Sequence, residues 1–406
     1  MNTWRWFLTP LSVATAVLFL LSTSLPSLTQ ASTNDRNYTM GDSGDSPTAS
    51  NGSTVGTTFD DAGQLGMNQL HDLVASGGPV YRTIAGRPDG GSGLGIELDG
   101  SSQFLRGARL GLPDTTASSI GGSFGGTLNY IGLVDRGFQL WVQPAATTAQ
   151  SIVMDTNQHG ARISTNGNFS MRYANQDFDS TLAVVPGTWY HVMVVRPAGS
   201  AGDARMYVDG VAVAAAPGGY DGADTADLVV GSNTAGDDGG VSGGEGFTGG
   251  TEEFFSGIVD DMTMFVIGDN SSDVGPPPGQ DYGEFNFASD NGFAAFTLSG
   301  VAGDVDNNGV LEAADRDAFI TGWMRENLVN NVRVGDLNTL GNGDLNFDGI
   351  TDISDLALMQ AALPIAGLDA ITAAELNGTA VPEPSAGLLL LVASLLAPVA
   401  RHRYCR

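Results

Sequence analysis

The middle of the chain alternates between apolar and polar residues in short segments that turn-forming residues separate. The clearest segments are 138–142 (FQLWV), 151–154 (SIVM), 169–173 (FSMRY), 189–195 (WYHVMVV) and 204–208 (ARMYV). A period of two is typical of β-strands that bury one face. Asp209 and Gly210 follow the last segment and predict a two-residue hairpin turn, because both residue types tolerate positive φ. We therefore predict that residues 54–268 form an all-β sandwich.

The pattern changes after residue 300, where apolar residues recur at helical spacing in 317–324 (DAFITGWM) and 356–363 (LALMQAAL). A twelve-residue acidic loop precedes each predicted helix, at 304–315 and at 344–355. Each loop has oxygen-bearing side chains at positions 1, 3, 5, 9 and 12, and glycine at position 6. Converging oxygen ligands suit Ca²⁺, and the glycine permits the sharp turn between them.

Each loop therefore predicts six calcium ligands, of which position 7 supplies only its backbone carbonyl. The predicted ligands are Asp304, Asp306, Asn308, Val310, Glu312 and Asp315 in the first loop, and Asp344, Asn346, Asp348, Ile350, Asp352 and Asp355 in the second. The loops begin 40 residues apart, which indicates a tandem repeat of one loop-and-helix unit.

Residues 301–364 resemble the dockerin family, whose members carry two such units and dock onto cohesin modules. The resemblance implies two bound Ca²⁺ ions and a small helical module. Position 12 is Asp in both loops, where the EF-hand form has Glu. Positions 10 and 11, often Ser-Thr in cellulosomal dockerins, are Ala313 and Ala314 in one loop and Ile353 and Ser354 in the other. Two roles of the module therefore remain open: docking onto a cohesin-like partner, and a purely structural role.

Several phrases of the predicted sandwich follow the order of a second family. They are 97–104 (ELDGSSQF), 138–144 (FQLWVQP), 187–192 (GTWYHV), 206–210 (MYVDG), 228–231 (LVVG) and 255–261 (FSGIVDD). Together they resemble the LamG-like, concanavalin A-like jelly roll. The fold class is thus expected to be mainly β, with a jelly-roll sandwich followed by the dockerin-like module. Its relatives include lectins, adhesion modules and glycanases, so the fold leaves the activity undecided.

Catalysis by the sandwich is not expected. Retaining glycanases need two carboxylates about 5 Å apart, and on this fold the resemblance implies a Glu-x-Asp-x-x-Glu strand. The acidic pairs at 252–253 and 260–261 lack that spacing. Asp155, Asp260 and Asp261 remain candidates for a ligand or a third Ca²⁺ ion at the sandwich rim, although the last two could simply hold a loop. We expect His191, Trp141 and Trp189 to be core residues.

The two ends predict export. Residues 1–31 read as a secretory signal peptide, with an arginine, a short apolar run and a small residue at its end. Residues 381–406 begin with Val381, Pro382, Glu383 and Pro384, continue with an uncharged apolar run and end among three arginines. This tail resembles the PEP-CTERM sorting signal, which implies processing by a membrane sorting protease (exosortase). An ordinary C-terminal anchor helix is the alternative.

Three further segments are predicted to connect these parts: a polar spacer at 32–53, a linker with additional strands at 269–300, and a linker at 365–380.

The only cysteine, Cys405, lies in the tail, so the body is predicted to have no disulfide. Without signal and tail the chain keeps 13 arginines against 44 acidic residues, a net charge of −31. Such a surface repels nucleic acid, which excludes DNA and RNA as expected partners.

The sequence thus predicts a secreted, surface-sorted, non-catalytic protein. Its jelly roll would bind an extracellular glycan or a surface protein, and its calcium-binding module would dock or scaffold it. The alternatives are a component of extracellular polysaccharide degradation and a structural protein of the surface matrix.

Overall fold

The computed structural model describes residues 33–41, 49–58, 73–107, 136–155, 160–173, 176–196, 204–217, 228–233, 253–266 and 298–378. The predicted signal peptide, the sorting motif at 381–384 and nearly all of the 269–300 linker lie outside these residues. Within the described part, no helix has the length and apolar character needed to cross a membrane.

Sixteen strands of the described residues build the predicted sandwich. In chain order they are β1 Thr33–Tyr38, β2 Thr57–Thr58, β3 Leu73–Ser76, β4 Val80–Ile84, β5 Gly93–Asp99, β6 Phe104–Gly107, β7 Arg136–Pro144, β8 Gln150–Asp155, β9 Gly160–Ile163, β10 Asn168–Tyr173, β11 Gln176–Ala183, β12 Tyr190–Arg196, β13 Ala204–Val208, β14 Val211–Ala216, β15 Leu228–Val230 and β16 Ser256–Val266.

They form two antiparallel sheets of eight strands each, consistent with a jelly roll. The first sheet has the order β14-β13-β12-β7-β16-β5-β4, and β1 also pairs with β16. The second has the order β11-β10-β9-β8-β15-β6-β3-β2. The predicted hairpin turn between β13 and β14 is confirmed, because Asp209 and Gly210 both have positive φ, at 50° and 77°.

The core lies between the sheets and follows from the alternation of the strands. Leu140 and Val142 of β7 point into it and are fully buried, whereas Trp141 between them belongs to a separate cluster. Phe169 and Met171 of β10 contribute to the core from the second sheet. Buried apolar area of this kind supplies the main favourable term of folding.

The predicted exposed spacer at 32–53 is wrong for its first residues. Thr33–Tyr38 is a strand of the first sheet, paired with the second half of β16. Tyr38 and Met40 are fully buried in the core. This strand could not be predicted, because its polar sequence TNDRNY has no alternation of apolar and polar residues. The two buried side chains at its end hold it in place.

The C-terminal module contains four helices and one short hairpin. They are α1 Ala313–Gly322, the strands β17 Leu328–Val329 and β18 Val332–Arg333, α2 Leu337–Leu340, α3 Ile353–Ala362 and α4 Ala373–Gly378. The two predicted helices are confirmed, but α1 and α3 begin three to four residues earlier than predicted. Position 12 of each loop is the third residue of its helix, and its carboxylate accepts the N–H of position 9, which caps the helix inside the loop.

The predicted linker at 365–380 is wrong as well. Ile371 and Leu376 are buried against Phe319, Met359 and Leu363 in the core of the module. The guanidinium group of Arg316 in α1 also forms an ion pair with Glu375 of α4. The module therefore extends at least to Leu376, and two apolar side chains too far apart to form a periodic pattern secure its end.

Candidate functional site

The first acidic loop folds around the carboxylates at its two ends. Asp304 accepts hydrogen bonds from the backbone N–H groups of Asn308 and Gly309, at 3.1 and 2.7 Å. Asp315 accepts the N–H groups of Val305 and Asp306, at 2.8 and 3.2 Å. These bonds turn the backbone so that the side chains of positions 1, 3 and 12 converge.

The second loop repeats this hydrogen-bond pattern position by position. Asp344 accepts the N–H groups of Asp348 and Gly349, at 3.1 and 2.9 Å. Asp355 accepts those of Leu345 and Asn346, at 2.8 and 3.0 Å. Two separate segments of different sequence thus adopt one backbone conformation.

Three carboxylates converge in each loop. Oxygen atoms of Asp304, Asp306 and Asp315 lie within 4.8 Å of one another, and so do those of Asp344, Asp348 and Asp355. The amide side chain changes places with the carboxylate between the loops: it is at position 5 in the first and at position 3 in the second. The number of carboxylates is therefore the same in the two loops. Each group of three could hold a metal ion.

The predicted ligands at positions 7 and 9 lie outside these carboxylate groups. Val310 and Ile350 contribute no side-chain oxygen, and their N–H groups bind Asn308 and Asp348. Asp352 caps α3 by accepting the N–H of Ser354 at 2.7 Å, and Glu312 is the corresponding residue before α1. In calcium loops of this type, position 9 often acts through a water molecule.

The two loops differ in electrostatics because their burial differs. Burial raises the pKa of Asp344 to about 7 and the pKa of Asp355 to about 6. In the first loop burial also acts to raise the pKa of Asp304, but hydrogen bonds from Ser299 and from the Gly309 N–H hold it below its ordinary value. The pKa of Arg333 is raised, mainly by its hydrogen bond with Glu326 and also by Asp348 and Asp352, so its guanidinium group lies near the second loop. One arginine offsets only part of the negative charge of that loop, and a divalent cation would relieve the remainder.

Asp260 and Asp261 lie inside β16. They occupy a bulge where Asp261 has φ 43°. The guanidinium group of Arg87 binds both carboxylates, at 2.6 Å to Asp260 and 2.7 Å to Asp261, and it also binds Asp89 at 2.8 Å. Because both carboxylates bind Arg87, they hold the 85–91 segment against the sheet, and its single positive charge offsets only part of the negative charge of Asp89, Asp260 and Asp261.

The two tryptophans and the histidine beside this ion pair are buried, as predicted. Trp189 donates its ring N–H to the carbonyl of Ala85 at 3.0 Å, and the Arg87 guanidinium lies 5.4 Å from the Trp141 ring centre. His191 packs edge-on against Trp141, with 5.3 Å between ring centres. Burial lowers the pKa of His191 to about 4, so the ring is neutral at pH 7.

The candidate Asp155 is the last residue of β8, and its side chain lies outside the described residues. A polar row that was not predicted from the sequence lies nearby, on the face of the second sheet opposite the core. Arg162 of β9 is 4% exposed and forms ion pairs with Asp177 and Glu253. Ser151 of β8 donates its hydroxyl to Glu253 at 3.2 Å. The only signal of this row in the sequence is a polar residue at every second position of β10.

Comparison with known proteins relates the sandwich to one superfamily. Residues 134–266, about a third of the chain, match the family model Laminin_G_3, described as the concanavalin A-like lectin/glucanases superfamily. This fold is related to carbohydrate-binding and glycoside hydrolase domains, and the match confirms the predicted jelly roll. A search of curated proteins finds no match to the chain.

Solved structures show distant likenesses. A heptameric SAP-like pentraxin from Limulus polyphemus is 16% identical, with 32% of this chain and 64% of the pentraxin covered and a TM-score of 0.23. Domain 4 of AbnA, a GH43 extracellular arabinanase from Geobacillus stearothermophilus, is 15% identical, with 55% and 98% covered and a TM-score of 0.31. A Trypanosoma rangeli sialidase is 13% identical, with 57% and 30% covered and a TM-score of 0.33. The chain thus spans less than two thirds of the pentraxin and less than a third of the sialidase.

Proposed function

We propose that this protein is a secreted, surface-sorted, non-catalytic binding protein that carries two Ca²⁺ ions in its C-terminal module. The observation that carries the proposal is the repeated loop, in which three carboxylates converge twice under the same set of backbone hydrogen bonds. The jelly roll would bind an extracellular glycan or a surface protein.

The chemistry of the donor set favours Ca²⁺ over other metals. All side-chain donors in the two loops are oxygen atoms of carboxylates or amides, and no histidine or cysteine is among them. Ca²⁺ prefers six to eight oxygen ligands in a flexible arrangement, whereas Zn²⁺ prefers nitrogen and sulfur. The side chains of Asn308 and Asn346 and the carbonyl groups of Val310 and Ile350 would complete the two shells.

A non-catalytic role is supported by the ion pairs that three carboxylates of the sandwich form with arginine. In the part of the sandwich that the structure describes, Glu253 and Asp177 bind Arg162, and Asp260 binds Arg87. A glycosidase needs one free carboxylate as nucleophile and a second that can donate a proton. Burial acts to raise the pKa of Asp177, but hydrogen bonds from Arg172 and Arg162 outweigh it and lower this pKa, which makes the carboxylate a poor proton donor. The family match supports glycan as the ligand class.

A glycan array with the full chain, followed by a reducing-sugar assay on every bound glycan, tests this function. Binding without release of reducing ends is the expected result. Release of reducing ends would favour the alternative, an enzyme of polysaccharide degradation. If the chain binds neither a glycan nor a surface protein, the structural role is the remaining explanation.

A structural role in the surface matrix is the second candidate. Its support is the contact between the module and the sandwich, where Val332, Val334, Leu340 and Phe347 pack against β12, β13 and β14. A module that binds its own chain can staple the protein together without a cohesin-like partner. A cohesin pull-down with the full chain distinguishes docking from stapling.

Secretion and sorting are proposed from the two ends of the chain. Expression in a host with and without an exosortase, followed by membrane fractionation, tests the tail. The expected result is loss of the 381–406 segment only in the presence of the protease. A substitution of Glu383 by Ala should abolish that processing.

A further inference from the structure

The second acidic loop differs from the first in what its backbone contacts. A Cβ placed on Gly349 would lie 2.7 Å from the backbone nitrogen of Val334, whereas a Cβ on Gly309 would meet nothing within 4 Å. A Cβ on Gly335 would lie 2.1 Å from the carbonyl oxygen of Phe347. The second loop is thus packed tightly against the segment that follows β18, and the first loop is open at the equivalent position.

Phe347, at position 4 of the second loop, is an apolar residue that is 5% exposed. It belongs to a cluster that spans both parts of the chain, with Met193, Val195, Tyr207, Ala212 and Ala215 from the first sheet and Val332, Val334 and Leu340 from the module. The first loop has Asn307 at this position, and its side chain accepts the N–H of Ser299 at 2.6 Å. An apolar residue that reaches the sandwich therefore occurs in the second loop alone.

Polar contacts secure the same interface along β14, which lies at the end of the first sheet. Asp336 accepts the backbone N–H of Ala212 at 3.0 Å, and Asn330 accepts that of Ala215 at 3.0 Å. The N–H of Leu337 donates to the carbonyl of Gly210 at 3.2 Å. The module thereby binds backbone groups of an edge strand, a surface that otherwise invites pairing with other chains.

We propose that the second loop is a cation-dependent latch between the module and the sandwich. A divalent cation bound by Asp344, Asp348 and Asp355 would fix the loop backbone, and Phe347 would then hold the β17–β18 hairpin against β14. The first loop would bind its cation without affecting this contact. The inference rests on the cation binding proposed above.

Cation binding would affect the contact of Phe347 because this residue lies between the proposed ligands. It lies one residue before Asp348 and three after Asp344, so its backbone cannot keep its place if these carboxylates move apart. Without a cation, three carboxylates within 4.8 Å repel one another at low dielectric. The loop then opens, and the contact of Gly349 with Val334 is lost with it.

Hydrogen exchange of the full chain, measured by mass spectrometry with Ca²⁺ and with a chelator, tests the latch. In the unmodified protein, Ca²⁺ should slow exchange in 204–216 and 328–337 by roughly tenfold or more. Asp344→Asn should abolish this effect in 204–216, whereas Asp304→Asn at the matching position of the first loop should leave it intact. Equal loss in both variants, or no effect of Ca²⁺ in either segment, would overturn the latch.

Phe347→Ala provides a second variant in case Asp344→Asn unfolds the module. It should still bind two Ca²⁺ ions by calorimetry but lose the protection of 204–216. Retained protection would overturn the latch. The same calorimetry separates the two proposals: no Ca²⁺ binding by the unmodified chain contradicts the proposed function, whereas Ca²⁺ binding without any change in 204–216 contradicts the latch alone.

Discussion

The carboxylate of Asp336 accepts a hydrogen bond from the backbone N–H of Ala212, 124 residues earlier in the chain, at 3.0 Å. Its other oxygen accepts the N–H of Thr339 at 2.9 Å and caps α2. Asp336 is 2% exposed, and burial raises its pKa. One buried carboxylate thus joins the first turn of a helix in the module to the edge strand of the sandwich.

Replacing Asp336 by Ala should lower the free energy of unfolding by about 2–3 kcal/mol, because two buried N–H groups lose their acceptor. Urea denaturation followed by circular dichroism measures the change. Asp317→Ala is the matched control, since the Asp317 side chain is 77% exposed, and it should change stability by less than about 0.5 kcal/mol. Similar losses in the two variants would contradict the role of Asp336.

Alanine at position 6 should affect the two loops unequally. Gly309 and Gly349 have φ of 93° and 86°, so alanine costs about 1 kcal/mol of backbone strain at either position. Gly349→Ala would also bring its Cβ to 2.7 Å from Val334, and we expect a loss of about 3 kcal/mol or more. Thermal unfolding of both variants in Ca²⁺ shows which of the two substitutions lowers the stability more. A larger loss for Gly309→Ala would contradict the packing of the second loop.

Removing Arg87 should destabilise the sandwich strongly. Asp260 is 1% exposed, so Arg87→Met leaves a buried carboxylate without its cation, at a cost of about 3–5 kcal/mol. Arg82→Met is the control, because its ion pair with Glu97 is about 40% exposed on both sides and should contribute at most about 1 kcal/mol. Guanidinium denaturation of both variants, together with the unmodified chain, measures the difference.

The metal-free module should become less stable as pH rises. The pKa values of Asp344 and Asp355, about 7 and about 6, lie above the ordinary value of 3.8. A raised acid pKa contributes stability that is complete at low pH and is lost as pH rises through the folded-state pKa. We therefore expect the metal-free unfolding temperature to fall between pH 4 and pH 7.

Saturating Ca²⁺ should reverse this pH dependence, because the cation binds the ionised carboxylates. Asp344→Asn in the metal-free protein should flatten the decline, and Asp304→Asn should not. A metal-free module whose stability rises over this window, with no difference between the variants, would show that burial of Asp344 does not govern its stability.

The sequence predicts the local features of this protein well. The predicted ligands and the glycine of each loop lie within twelve residues, so their spacing already defines the loop. The hairpin at Asp209 and Gly210 is predicted for the same reason, since two adjacent residues set the turn. The burial of Trp141 is predicted as well, but the residue lies in a cluster separate from the core that contains Leu140 and Val142.

Features that depend on distant residues could not be predicted. Arg87 and Asp260 are 173 residues apart, and neither shows its partner in the sequence. The burial of Tyr38, Ile371 and Leu376 depends on surfaces that only the folded chain creates. Phe347 looks like an incidental residue of a calcium loop, and its role at the interface appears only once β12, β13 and β14 are assembled beside it.

Calorimetric titration of the metal-free chain with Ca²⁺ tests the central claim most directly. We predict two equivalents for the unmodified protein, one equivalent for Asp304→Ala, one for Asp344→Ala and none for the double variant. Binding stoichiometry that is the same in all four proteins, or no binding by the unmodified chain, would contradict the assignment of the two loops as calcium sites.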